Sequence, residues 1–139
     1  MRHEGRCHCG NLSVTFESAQ DPARIPVREC QCSFCRLHGV TSVTDPAGRL
    51  ELRAAEPGSV SRYQFGLRAS EFFICARCGV YVAAIATIDG ARYASLNVNV
   101  LADRAAFTQP PAPVDYGRES AVERMARRRR GWTPAAVKT

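Results

Sequence analysis

The chain has no apolar stretch approaching the length that spans a bilayer, which excludes insertion as a membrane helix. It has no cysteine outside three short clusters. The total of seven is odd, which argues against a closed disulfide framework. Arg2, His3, Glu4 and Arg6 stand where a signal peptide would begin its apolar run, so a cytoplasmic protein with reduced thiols is expected. A single tryptophan, Trp132, accompanies the one dense cationic run at residues 127–130, so the aromatic interleaving of a single-strand nucleic-acid binder is missing.

What is present fits one domain. At 139 residues the chain buries a modest core, to which bound metal would add materially. The formal charge of +6 is unevenly placed: residues 118–139 hold seven of the 19 basic groups and two of the 13 acids, a net +5, leaving +1 for the rest. Four-thiolate and three-thiolate zinc sites would bring the whole protein nearer to about +3, so a polyanion-binding body is not expected.

The clusters are Cys7-His8-Cys9-Gly10, Cys30-Gln31-Cys32-Ser33-Phe34-Cys35 and Cys75-Ala76-Arg77-Cys78-Gly79. Thiolates one or two residues apart can converge on one tetrahedral ion. A glycine after the second ligand lets the backbone turn through positive φ and aim amides at sulfur. The two glycine-terminated pairs therefore read as halves of one structural zinc site built from Cys7, Cys9, Cys75 and Cys78. A redox pair at Cys75 and Cys78 would leave Cys7 and Cys9 unexplained. Cys30, Cys32 and Cys35 are one short of a tetrahedron: either this second zinc keeps an open position, which the count of four plus three favours, or His38 closes it. His8 is expected to point away from the metal, and His3 to be disordered.

Alternation marks Leu12, Val14 and Phe16 as the inner face of a strand, repeated by Leu50 and Leu52. Further strands are expected at residues 59–65, 70–74, 80–86 and 92–100, and a short helical turn at 101–107. The sum is a mainly β protein of small antiparallel sheets. Its expected divisions are a zinc-binding domain over 1–108, a Pro-rich linker over 109–117 and an Arg-rich helical extension over 118–139, helical from 118 to 130. In that helix Val122, Met125 and Ala126 form a narrow apolar stripe. It suits packing on the chain's own domain, or on a second subunit of a homo-oligomer, with the arginines solvated.

The ordered pattern Gly5-x-Cys7-x-Cys9-Gly10, Cys30-x-Cys32-x-x-Cys35 and Cys75-x-x-Cys78-Gly79 resembles the glutathione-dependent formaldehyde-activating enzyme family, which includes centromere protein V. The match spans roughly residues 5–108. The resemblance implies a β-tent fold, a structural zinc on Cys7, Cys9, Cys75 and Cys78, and a second zinc on Cys30, Cys32 and Cys35 that accepts the thiol of glutathione. It implies a carbon–sulfur lyase reaction on S-hydroxymethylglutathione. His38, where relatives commonly have a small residue, either completes the metal shell or donates a proton, with Ser33 and Arg36 the other polar neighbours. Arg36, Arg62, Arg77, Asn97 and Asn99 are the candidates to hold the glutathione carboxylates. The alternative is a non-enzymatic zinc module whose basic C-terminal helix contacts protein or nucleic acid.

Overall fold

In the computed structural model, which describes residues 1–139, the chain is mainly β. The strands are β1 (Arg2–Arg6), β2 (Leu12–Glu17), β3 (Arg28–Cys30), β4 (Ser42–Val43), β5 (Arg49–Ala54), β6 (Val60–Tyr63), β7 (Glu71–Cys75), β8 (Tyr81–Ile88), β9 (Ala91–Asn97), β10 (Ala112–Val114) and β11 (Thr133–Lys138). Helix α1 (Ser33–His38) follows β3, and α2 (Ala121–Gly131) follows β10.

The alternating positions do what their period requires. Val14 lies opposite Leu52 and Phe16 opposite Leu50 across the antiparallel β2–β5 pair, and all four are buried. β8 is buried almost throughout, so it reads as a continuous apolar run. β9 pairs with β8 along one edge. Its other edge is shared: Tyr93 and Ala94 pair with β11, whereas Leu96 and Asn97 pair with β4. β11 continues beyond β9 to run parallel to β5, from Ala135 opposite Leu50 to Lys138 opposite Arg53. The larger core fills the space among β2, β5, β8 and β9, and a second cluster gathers Cys35, Val40, Phe72, Tyr81 and Trp132.

Four expectations are corrected. The segment after the proline run is extended but not a free linker: β10 adds in parallel to β3, with Val114 opposite Cys30 and Pro113 on the terminal strand, where its missing donor costs no ladder bond. The region over 118–139 is not a separate extension: after a helix that ends at Gly131, as expected, β11 joins the interior of the sheet. His3 is ordered and 2% exposed; its Nδ1 lies 2.6 Å from Asp103 Oδ2, and its ring packs between Phe16 and Phe107.

The fourth correction concerns α2. Ser120 caps it in a reciprocal capping box with Glu123, but the helix does not bury the expected apolar stripe. Val122 is 80% exposed, and the inward positions are Arg124, Met125, Arg127 and Arg128. The arginines are engaged: Arg127 makes a two-pronged bond to Glu119 (2.7 and 2.9 Å) and covers the Tyr116 ring, and Arg129 pairs with Asp89.

Candidate active site

The first and third cysteine clusters meet through the sheet. Cys7 and Cys9 sit in the turn between β1 and β2, while β7 ends on Cys75 and turns through Cys78. Gly10 and Gly79 close the two turns at φ 87° and 79°, a region that side-chain-bearing residues rarely adopt. All four sulfurs lie within 4.8 Å of one another. The Cys7–Cys9 and Cys9–Cys75 separations of 3.8 and 3.5 Å match the roughly 3.8 Å edge of a tetrahedron with zinc–sulfur bonds of about 2.3 Å. The Leu12 N–H donates to Cys7 Sγ at 3.3 Å. Burial pushes the Cys7 thiol up to about 11. Burial acts the same way on Cys78, but the Cys9 and Val80 backbone amides and the neighbouring thiols overcome it and hold Cys78 down to about 6. The donor set therefore suits a soft divalent cation.

The middle cluster forms where β3 hands the chain to α1. Cys32 caps the helix, accepting from the Cys35 N–H at 3.3 Å, and Gly39 ends it in the left-handed region. The spacing thus brings Cys30, Cys32 and Cys35 to one side, their sulfurs within 4.8 Å of one another. Hydrogen bonds from the Cys30 and Cys35 thiols, in that order, draw Cys32 down to about 2, while Cys35 is pushed up by the same neighbours and by burial. Three sulfurs can hold an ion while leaving one vertex of the tetrahedron for another ligand.

Cys30, Cys32 and Cys35 line a cavity of about 170 Å³. Opposite in chemistry to the thiolates are four guanidinium groups on the same cavity, Arg28, Arg124, Arg127 and Arg128. Tyr81, Phe72, Val40 and Trp132 supply apolar surface. Burial and then the charge of the neighbouring cysteines raise the Tyr81 hydroxyl well above the usual tyrosine range, so it stays protonated at neutral pH. Burial lowers Arg128 only to about 10, and it remains a cation.

The sequence matches the description "Glutathione-dependent formaldehyde-activating enzyme" over residues 2–114. The chain belongs to the glutathione-dependent formaldehyde-activating enzyme family. It is also similar to a structural-genomics crystal structure of a Rhodobacter sphaeroides protein, with 28% identity and a TM-score of 0.58 over 78% of this chain and 99% of that one. The family supports an enzyme whose activity concerns glutathione and formaldehyde. No helix is long and apolar enough to cross a membrane.

Within this formaldehyde-activating fold the expected polar residues fall elsewhere. Ser33, Arg36 and His38 are on the exposed side of α1; the His38 ring stacks on Phe34 at 4.4 Å and is not among the groups gathered with the three sulfurs. Arg62 covers Phe73 and bonds to Thr139, and Arg77 faces Glu56 at 3.5 Å. Asn97 donates to the Tyr81 carbonyl and accepts from the Asn99 N–H, while Asn99 accepts from Arg104. None of these lines the cavity. Among the polar groups that do, Tyr81 and the four arginines carried no ligand spacing. Three of the arginines lie beyond the family match, on α2.

Proposed function

We propose that the protein binds glutathione or a related thiol at an open three-cysteine zinc site and forms or cleaves its adduct with formaldehyde, S-hydroxymethylglutathione, as a carbon–sulfur lyase. The observation that carries this reading is the meeting of Cys30, Cys32 and Cys35 with one partly apolar, arginine-lined cavity. The four-cysteine site, which clasps residues far apart in sequence, takes the structural role and a second zinc.

The donor set of the triad fits zinc, and a zinc there would keep an incoming thiol deprotonated at neutral pH, against a free-thiol value of about 8.5. The residues around it divide the remaining work. Cys30, Cys32 and Cys35 fix the position of the entering sulfur relative to the cavity. Phe72, Val40 and Trp132 exclude water from it. When sulfur adds to the aldehyde carbon, the carbon–sulfur bond forms and the carbonyl oxygen gains charge. The Tyr81 hydroxyl, kept protonated by burial, is a hydrogen-bond donor for that oxygen; the proton that completes the adduct's hydroxyl comes from solvent and returns to solvent in the reverse direction. His38 is assigned no proton transfer, because it lies on the exposed side of α1 and does not line the cavity. The pairing of Arg127 and Arg129 with acids of the chain itself, and the burial of Arg128, support this reading over a nucleic-acid contact through α2.

The test is zinc per chain by elemental analysis, for the native protein and for a variant with serine at Cys30, Cys32 and Cys35, paired with glutathione titration and with NMR exchange rates between formaldehyde, glutathione and their adduct. Two zincs falling to one, with loss of glutathione binding and of accelerated exchange, is the expected result. Two zincs with no response to any thiol would sink it.

A further inference from the structure

Arg128 is a buried cation with an unfinished set of partners. Its side chain is 8% exposed, yet no carboxylate bonds to it. One terminal nitrogen donates to the Ala69 carbonyl at 3.1 Å, the guanidinium lies over the Trp132 ring, and Nε has no hydrogen-bond partner. The neighbouring Arg124 repeats the pattern: it donates to the Tyr116 carbonyl at 3.0 Å, and its buried Nε also lacks a hydrogen bond, the Glu119 carboxylate lying 3.5 Å away and already committed to Arg127. One acid, Glu119, thus answers two arginines, and Arg128 is left over. Among the cavity-lining residues the acid is Asp115, which accepts from the Gly117 N–H. Burying a guanidinium without an anion is costly, and leaving its donors unmade adds to the cost. Both arginines line the cavity of the three cysteines.

We propose that Arg128, seconded by Arg124, forms a carboxylate-binding subsite on the cavity of the cysteine triad, so that the thiol this protein accepts is an acidic one held at both ends. This rests on the thiol-binding reading for the sulfur end of the ligand; the carboxylate end is independent of it. The subsite is supplied by α2, outside the residues matched to the family. Selection of the acid therefore lies in a part of the chain separate from the metal ligands. The planar guanidinium suits the two oxygens of a carboxylate, and Trp132 holds that plane in place.

The test uses the full-length, zinc-loaded protein and two probes with the same thiol and carbon chain, one ending in a carboxylate and one in a neutral ester, 3-mercaptopropionate and its methyl ester, with propionate as a carboxylate lacking sulfur. Calorimetric titration at neutral pH should show the acid binding roughly tenfold or more tighter than the ester. Arg128→Met should bring the two within about threefold while zinc content stays unchanged, and Arg128→Lys should keep part of the preference. Arg124→Met, at a less buried position, should weaken the preference even if the Arg128→Met chain folds poorly. Equal binding of acid and ester to the native protein would overturn the subsite and leave thiol binding standing; Arg128 would then only balance thiolate charge. Failure of both thiols, with propionate binding that depends on Arg128, would remove the thiol reading and keep the anion site. No binding of any probe would remove both.

Discussion

The guanidinium carbon of Arg128 lies 4.4 Å from the centre of the Trp132 ring, and neither residue is more than 8% exposed. The pair joins the last turn of α2 to the start of β11 and places both on the cavity of the cysteine triad. Trp132 is the only tryptophan of the chain, so its emission reports on that cavity alone. A second equivalent of zinc, added once the four-cysteine site is filled, should change the Trp132 fluorescence. The change should vanish in the variant with serine at Cys30, Cys32 and Cys35, and an undiminished response in that variant would contradict the placement.

The two cysteine sites should respond differently to single substitutions. Cys75→Ser removes a ligand from the site that clasps β1 and β2 to β7, and should destabilise the fold by at least the roughly 2–5 kcal/mol typical of losing a structural cross-link. Cys32→Ser should lose one metal and leave the fold largely intact. Denaturant unfolding of both variants, with metal content, checks this; equal losses would erase the distinction.

His3→Ala should destabilise the protein by about 2–3 kcal/mol, because it leaves a hole between Phe16 and Phe107 and removes the bond to Asp103, whose half-exposed carboxylate then turns to water. His3→Phe should recover the packing but not the hydrogen bond, and should fall between the native protein and the alanine variant in thermal unfolding.

Glu119 carries a prediction about acid. The Arg127 guanidinium holds its carboxyl below the usual carboxylate range, so the group is deprotonated more readily in the folded chain than in the unfolded one. Its contribution is complete above the unfolded value of about 4.3 and is lost as pH falls through the lower folded value. Glu119→Gln should remove that part of the acid sensitivity. The effect should stay within about 1 kcal/mol, as for a partly solvated ion pair, in denaturant titrations from neutral pH to pH 3.

Where the side-chain period and ligand spacing are strong, the structure was legible from residues alone. Leu12, Val14 and Phe16 announce β2 because each faces the core, and the glycine-ended pairs announce a four-sulfur site because few other structures need that spacing. The later part of the chain was not legible, for identifiable reasons. β10 and β11 both contain proline, which ordinarily argues against a paired strand, and both are held by pairing with distant partners rather than by an apolar alternation of their own. Arg128 read as solvated because arginine rarely enters a core; only the cavity explains why this one does. His3 was invisible because its partner, Asp103, is a hundred residues away.

β11 also sets a sequence of events. Because it lies between β5 and β9, the sheet cannot be completed until residue 138 has been made, whereas the four cysteines of the clasp are all present once residue 78 has emerged. A growing chain therefore holds all four sulfurs of that cluster well before α2 and β11 arrive to wall off the cavity of the other three cysteines.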